Sequence, residues 1–165
     1  MRRAAILTIS DRGAKGERED TSGPALKTIL EKAGFSIVFL EILADDQQLI
    51  ERRLRELADE SCLDLVVTTG GTGVSPSDVT PEATLAVIDR QVPGIAEAMR
   101  VASLAKTPHA MLSRAVAGIR HQTLIVNLPG SVKGARENIE VLLPALDHAV
   151  EKIQGDPSEC GKPFE

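Results

Sequence analysis

A chain of 165 residues suits one domain with a core of ordinary size, and 42% apolar with 26% charged residues is a globular rather than a disordered composition. A formal net charge of −5 argues against sequence-independent binding to a nucleic-acid backbone, and the lack of Trp and Tyr, with three Phe, argues against a platform for stacked bases. An anionic ligand therefore has to be recognised locally.

The apolar run Ala4–Ser10, AAILTIS, predicts a buried first strand. Two arginines precede it, but the run stops at Asp11 with no cleavage-type segment after it, so it reads as a strand and not as a targeting segment. The polar stretch DRGAKGEREDTSG predicts a loop. Ser22 is the expected cap of a helix with Pro24 in its first turn, Leu26, Ile29, Leu30 and Ala33 on one face, and Gly34 at its end. Phe35–Leu43, FSIVFLEIL, reads as the second strand. Asp45 or Asp46 caps the next helix, with Asp46 the favoured cap, and Ile50, Leu54, Leu57 and Ala58 form its apolar stripe. Leu63–Thr69 is the third expected strand, and Cys62 just before it is expected to be a buried free thiol. Thr80-Pro81-Glu82 reads as a cap residue, a proline at the first helical position and an acid in the first turn. Pro93 opens a helix through Ala105. Ser113–Leu128 reads as two adjoining strands broken near His121. A final helix follows PGS, with Ile139, Leu142, Leu143 and Leu146 inward and Pro144 as a kink. Residues 1–153 are thus expected to form a single domain and residues 154–165 a poorly ordered polar tail. Strands alternating with helices predict a three-layer α/β/α fold with a central, mostly parallel sheet. Cys62 and Cys160 are too few for a disulfide framework or a zinc site, and no apolar run is long enough to span a membrane, so a cytoplasmic location is expected.

The most informative stretch is VVTTGGTGVSPSDVTPEA, Val66–Ala83. Strand, glycine loop and helix in succession present backbone N–H groups to an anion. The loop lacks the Gly-Lys-Ser/Thr ending of a Walker motif, and Pro76 stands where a dinucleotide fingerprint needs its third glycine. Taken as a bare tight turn, the glycines require no ligand. The whole string TTGGTGVSPSDVTPEAT is more specific: it closely resembles the signature of the molybdenum cofactor biosynthesis family, which includes bacterial molybdopterin adenylyltransferases and a domain of gephyrin. TISDRGAKGEREDTSGPAL, PGIAEAMR, KTPHAMLSRAVAGIR and LIVNLPGS resemble further blocks of that family in order, so the resemblance covers about residues 4–153.

The resemblance implies a trimeric α/β/α protein that adenylylates molybdopterin with ATP: the terminal phosphate of the pterin side chain attacks the α-phosphate, pyrophosphate leaves, and the product passes to a molybdate-inserting partner. Such a reaction needs no protein nucleophile. It needs two anions brought together and their repulsion screened, work suited to Mg²⁺ held by one or two carboxylates. Asp45 and Asp78 follow the second and third strands, where α/β proteins bind ligands, and by resemblance match essential acids of the family; they are the expected catalytic and Mg²⁺-holding residues. Thr69, Gly70, Gly71, Thr72 and Gly73 are expected to cradle an anionic part of the substrate, with Ser75, Ser113, Arg114, Pro129, Gly130 and Ser131 at further family positions around the pterin. Ser10 and Asp11 border the expected nucleotide site. Glu97 matches a family acid near the site or is a solvated helix residue. Lys133 and Arg12 meet phosphates or are solvated surface. His109, His121 and His148 match no metal-ligand spacing and read as surface or packing residues, and Met99 and Met111 read as core. Alternatives to catalysis are a pterin-binding carrier or assembly protein without transferase activity and a structural module. A molybdate-inserting relative or a scaffold would need regions this chain does not carry.

Overall fold

The computed structural model describes residues 1–158. Six strands form one sheet: β1 (Arg2–Ile9), β2 (Phe35–Leu43), β3 (Leu65–Thr69), β4 (Arg90–Gln91), β5 (Ala117–Arg120) and β6 (Thr123–Leu128), in the order β2-β1-β3-β6-β5-β4. β1, β2, β3 and β6 run parallel, and β5 is antiparallel to both its neighbours. The helices are α1 (Asp11–Ala14), α2 (Ser22–Lys32), α3 (Gln47–Arg55), α4 (Thr80–Leu85), α5 (Pro93–Leu104) and α6 (Val132–Ile153); a π-helical turn, Glu56–Glu60, extends α3, and a 3₁₀ segment spans Pro108–Leu112. This is the three-layer fold with a mixed, mostly parallel sheet that the alternating pattern implies.

The central strands are apolar on both faces because both faces are covered. Ala4, Ile6, Leu65, Val67, Leu124 and Val126 pack against Leu26 and Leu30 of α2, Ala96 and Met99 of α5, and Leu142 and Leu146 of α6. The alternate residues Ala5, Leu7, Val66 and Ile125 pack against Ile50, Leu54 and Leu57 of the α3 segment and Ala83 of α4. On α6, Ile139, Leu142 and Leu146 are buried and Leu143 is half-buried, as the helical period requires, and Pro144 sits inside the helix.

Several local expectations are corrected. DRGA is not loop but the short helix α1, capped by Ser10, whose Oγ accepts the Gly13 N–H. Ser22 does not cap α2; Asp20 Oδ1 accepts the N–H groups of Ser22 and Gly23, freeing the Ser22 hydroxyl to donate to the Gly130 carbonyl at 3.0 Å. Asp46 does cap α3, accepting the Leu49 N–H. Thr80 is the first residue of α4 and not its cap, because its hydroxyl donates to the Gly70 carbonyl. Cys62 is exposed, in a left-handed turn at φ 49° where the chain leaves the π turn, so the expected buried thiol is not found. Met99 is core, but Met111 is exposed because it lies in the 3₁₀ segment, outside the helical stripes. Cys160 and the end of the expected polar tail lie outside the described residues.

One polar cluster is fully enclosed. The side-chain amide of Asn127 donates to Thr68 Oγ1 (3.0 Å) and Thr84 Oγ1 (2.9 Å), while its Oδ1 accepts the Val116 N–H at 3.2 Å. It ties β3, β6 and α4 together behind the glycine loop. Asn127→Ala should cost about 2–4 kcal/mol in urea unfolding, because it strands buried hydrogen-bonding groups. A loss below about 0.5 kcal/mol would show that the cluster is dispensable.

Candidate active site

The parallel strands all end at one edge of the sheet, and the order β2-β1-β3 means that the chain passes from one side of β1 to the other. A crevice at such a switch point is where open α/β sheets bind ligands. Two hollows meet there. One, of about 300 Å³, is polar and lined by Ser10, Asp45, Thr69, Gly70, Gly71 and Asp78, among others. The other, of about 270 Å³, is largely apolar and includes Thr72, Gly73, Met99, Ser113, Ala115 and Pro129. Ser131, which caps α6, lines both.

The glycine loop separates the hollows, and its conformation has a steric origin. Gly70 (φ 103°) lies so close to the end of β1 that a Cβ would sit 2.3 Å from the Ile9 carbonyl oxygen. Gly71 (φ 65°) leaves no room for a Cβ between Thr80 Oγ1 (2.3 Å) and Asp45 Oδ1 (3.2 Å). Both positions are left-handed, where glycine alone is unstrained.

The carbonyls of Gly70, Gly71, Thr72 and Gly73 are all engaged on the loop's inner side. Thr80 donates its hydroxyl to Gly70 O (2.9 Å) and its N–H to Gly71 O (3.1 Å). Arg114 donates its N–H to Thr72 O (2.9 Å) and Nε to Gly73 O (2.6 Å). In a trans peptide the N–H of the next residue points opposite to the carbonyl. The N–H groups of Gly71, Thr72, Gly73 and Val74 are thereby turned outward, and none finds an acceptor among the described residues. Val132 and Lys133, in the first turn of the 22-residue helix α6, likewise have N–H groups without an acceptor among these residues. A loop of outward amides beside a helix N-terminus attracts an anion.

Carboxylates face this array from the polar hollow. Asp45 Oδ2 accepts the Asp11 N–H at 2.8 Å, and Asp11 Oδ1 accepts the Asp45 N–H at 3.0 Å, so the ends of β1 and β2 are clasped reciprocally. Asp78 Oδ2 accepts the Ser75 N–H at 2.8 Å. Burial raises the Asp45 carboxyl above its ordinary range; the Asp11 N–H opposes this, and the like charges of Asp11 and Asp78 add to it. Among the described residues no three His, Cys, Asp or Glu side chains form a metal cage. The pair Asp45 and Asp78 fits Mg²⁺ instead, a cation that keeps several waters and needs only one or two protein carboxylates. The absence of side chains at Gly71 and Gly73 lets the loop backbone lie close to both acids: a Cβ would come within 3.2 Å of Asp45 Oδ1 and 2.9 Å of Asp78 Oδ2.

Most of the expected site residues come together here: Ser10, Asp45, Thr69, Gly70, Gly71, Asp78, Gly130 and Ser131 at the polar hollow, and Thr72, Gly73, Ser113 and Pro129 at the apolar one. Asp11 reaches the site through Asp45. Ser75 is exposed and serves it through its N–H to Asp78. Glu97 is exposed on α5 and lines neither hollow, nor do Arg12 and Lys133, both exposed. Arg114 points into the glycine loop instead of lining the apolar hollow. Sequence reasoning missed Arg18 and Asp20, which line the polar hollow, and Arg100, Ser103 and Asn138, which line the apolar one. EREDTSG carried a signal for Asp20, an acid just ahead of a helix; nothing local marks the other four.

Fold, outward amides and paired acids define an α/β protein with a candidate anion site between adjoining apolar and acidic compartments. The chain belongs to the molybdenum cofactor biosynthesis family, whose model, described as a probable molybdopterin binding domain, matches residues 5–148. It is similar to a molybdopterin adenylyltransferase of Helicobacter pylori, 46% identical over 92% of this chain and 87% of that protein. It is similar to gephyrin of Dictyostelium discoideum, 42% identical over 92% of this chain and 22% of that protein. Among solved structures, the molybdopterin biosynthesis enzyme MoaB of Thermus thermophilus superposes with a TM-score of 0.90 at 50% identity, covering 96% of this chain and 100% of that one.

The raised carboxyl of Asp45 has a consequence for stability. The folded state holds this proton more tightly than the unfolded chain, so stability falls as pH rises from the ordinary carboxylate range through the raised value, and the charged form opposes folding above it. Asp45→Asn, which keeps an acceptor for the Asp11 N–H, should melt higher than the parent at about pH 7, with the gap narrowing toward about pH 4. Thermal unfolding of the ligand-free proteins at both pH values checks this; a variant less stable than the parent at the higher pH would contradict it.

Proposed function

We propose that the protein is a molybdopterin adenylyltransferase of molybdenum cofactor biosynthesis, joining molybdopterin and ATP to give adenylyl-molybdopterin and pyrophosphate. The observation that carries this reading is the meeting of an apolar and an acid-lined hollow at one anion-binding element, the glycine loop with the α6 N-terminus. The names of the relatives support the same reaction.

The apolar hollow, walled by Met99, Ala115 and Pro129, takes the pterin ring system, and the polar hollow takes the nucleotide. The pterin's terminal phosphate rests against the outward amides near Ser131, where the two compartments join. Its oxygen attacks the α-phosphorus of ATP as the bond to the departing pyrophosphate breaks. The protein contributes orientation and fixed dipoles, not a nucleophile. Glu19, Asp20, Asp45 and Asp78 line the polar hollow against one cationic side chain, Arg18. Coulomb repulsion alone would keep a triphosphate out of such a place. Mg²⁺, held by Asp45 and Asp78, would screen this repulsion and the charge developing on pyrophosphate. In this reading residues 1–153 form the one folded unit, acting in the cytoplasm, and the product passes to a molybdate-inserting partner.

Asp78→Asn tests the assignment of the acids. It preserves shape and an acceptor for the Ser75 N–H but removes charge, so folding and pterin affinity should survive while single-turnover adenylyl transfer falls roughly 10²-fold or more. Pyrophosphate release should fall in parallel, and excess Mg²⁺ should restore only part. Wild-type rates would remove Asp78 from the chemistry. Pterin binding with no pyrophosphate release by the wild-type protein would leave a carrier role.

We also propose a homotrimer. The family resemblance supports it, and Val101, Leu104, Met111 and Leu112 expose apolar surface on α5 and the adjoining 3₁₀ segment. Light-scattering mass at about micromolar concentration should give three chains; a stable monomer would overturn it.

A further inference from the structure

We propose that Arg114 and Glu82 form a positioning pair that sets the glycine loop for the chemistry, an inference that rests on the adenylyl-transfer reading for its catalytic consequence. The guanidinium spans the loop: Nε donates to Gly73 O (2.6 Å) near its start, and Nη2 donates to Asp78 O (2.6 Å) at its end. Nη1 binds the Glu82 carboxylate in the first turn of α4. The Arg114 main-chain N–H adds a bond to Thr72 O at 2.9 Å. One planar fork thereby fixes the loop's width, the outward direction of its amides and the backbone from which the Asp78 carboxylate extends.

Glu82 has the complementary task. An arginine beside a phosphate site is ordinarily drawn to the anion. Here the guanidinium is neutralised by Glu82 and committed to loop carbonyls, so it lines neither hollow. The arginine holds Glu82 below the usual carboxylate range, chiefly through the hydrogen bond it donates, which favours the ionised form of the pair. The second carboxylate oxygen, Oε2, is shielded from solvent and has no partner among the described residues, and Arg114 is the one other side chain among them that binds the carboxylate. An ion pair this exposed adds little stability. Its value is geometric, and a lysine at position 114, a point charge without the fork, does not reproduce it.

Arg114→Lys and Glu82→Gln, with Arg114→Ala as a third variant, test the pair by two readouts. In the ligand-free protein, hydrogen–deuterium exchange of the Ser75, Asp78 and Thr80 amides should speed up at least about tenfold in Arg114→Lys, while β3 and α6 keep wild-type protection. In single-turnover adenylyl transfer, kcat should fall about 10–100-fold with KM for both substrates within about threefold, the signature of lost positioning. Guanidinium at a few tens of millimolar should restore part of the rate in Arg114→Ala but none in Asp78→Asn. Unchanged loop exchange in Arg114→Lys, or a wild-type kcat in both Arg114→Lys and Glu82→Gln, would overturn the proposal. If Arg114→Ala does not fold, the other two variants decide it. If the wild-type protein transfers no adenylyl group, the proposed reaction falls, and the exchange measurement alone decides whether the pair sets the loop.

Discussion

The site depends on a steric constraint at one peptide. Where β1, β3 and β6 end together, Gly70 donates its N–H to Leu128 O, faces the Ile9 carbonyl, and lies against Gly130, where a Cβ would come within 3.1 Å of the Gly70 Cα. Three backbones converge with no room for a side chain, so the chain leaves β3 through a left-handed turn that only glycine makes without strain. The later features follow in order. The turn continues through Gly71, the carbonyls of Gly70–Gly73 face inward to Thr80 and Arg114, the following amides face outward, and Asp78 returns to within electrostatic reach of Asp45.

In the proposed reading, anion binding by an acidic protein is a question of geometry more than of net charge. The cations near the loop are largely committed elsewhere: Arg114 to loop carbonyls and Glu82, and Arg100 to the Ser113 and Ala115 carbonyls. Attraction comes from peptide dipoles that are already oriented, so little reorganisation is needed when charge arrives. The Asp45 carboxylate beside them opposes folding when nothing shields it, because burial and the like charges of Asp11 and Asp78 raise its carboxyl. The buried Asn127–Thr68–Thr84 cluster beneath the loop gives it a rigid support.

Much of the molecule was legible in advance. The strand Phe35–Leu43, the pair of strands broken near His121, the Asp46 cap and the apolar stripes of α3 and α6 follow from periodicity and capping chemistry, which act over a few residues. The misreadings arose where a side chain had a distant partner. Thr80 looks like a cap, but its hydroxyl is taken by Gly70, ten residues back. Ser22 looks like a cap, but its hydroxyl binds Gly130 across the fold. Cys62 looks buried because apolar residues follow it, yet the π turn swings it outward.

By itself, the sequence determined the α/β/α layering and the position of the glycine loop, and it pointed to that loop as the anion element and to Asp45 and Asp78 as acids at strand ends, because all of these are written in short-range patterns. Only the tertiary structure decided that Glu97 stands apart from the site, that Arg18, Asp20 and Asn138 belong to it, and that Arg114 serves the loop instead of the ligand. These facts depend on which strand ends adjoin across the sheet and on which carbonyls remain unpaired once they do. Neither is fixed until residues far apart in the chain have packed together.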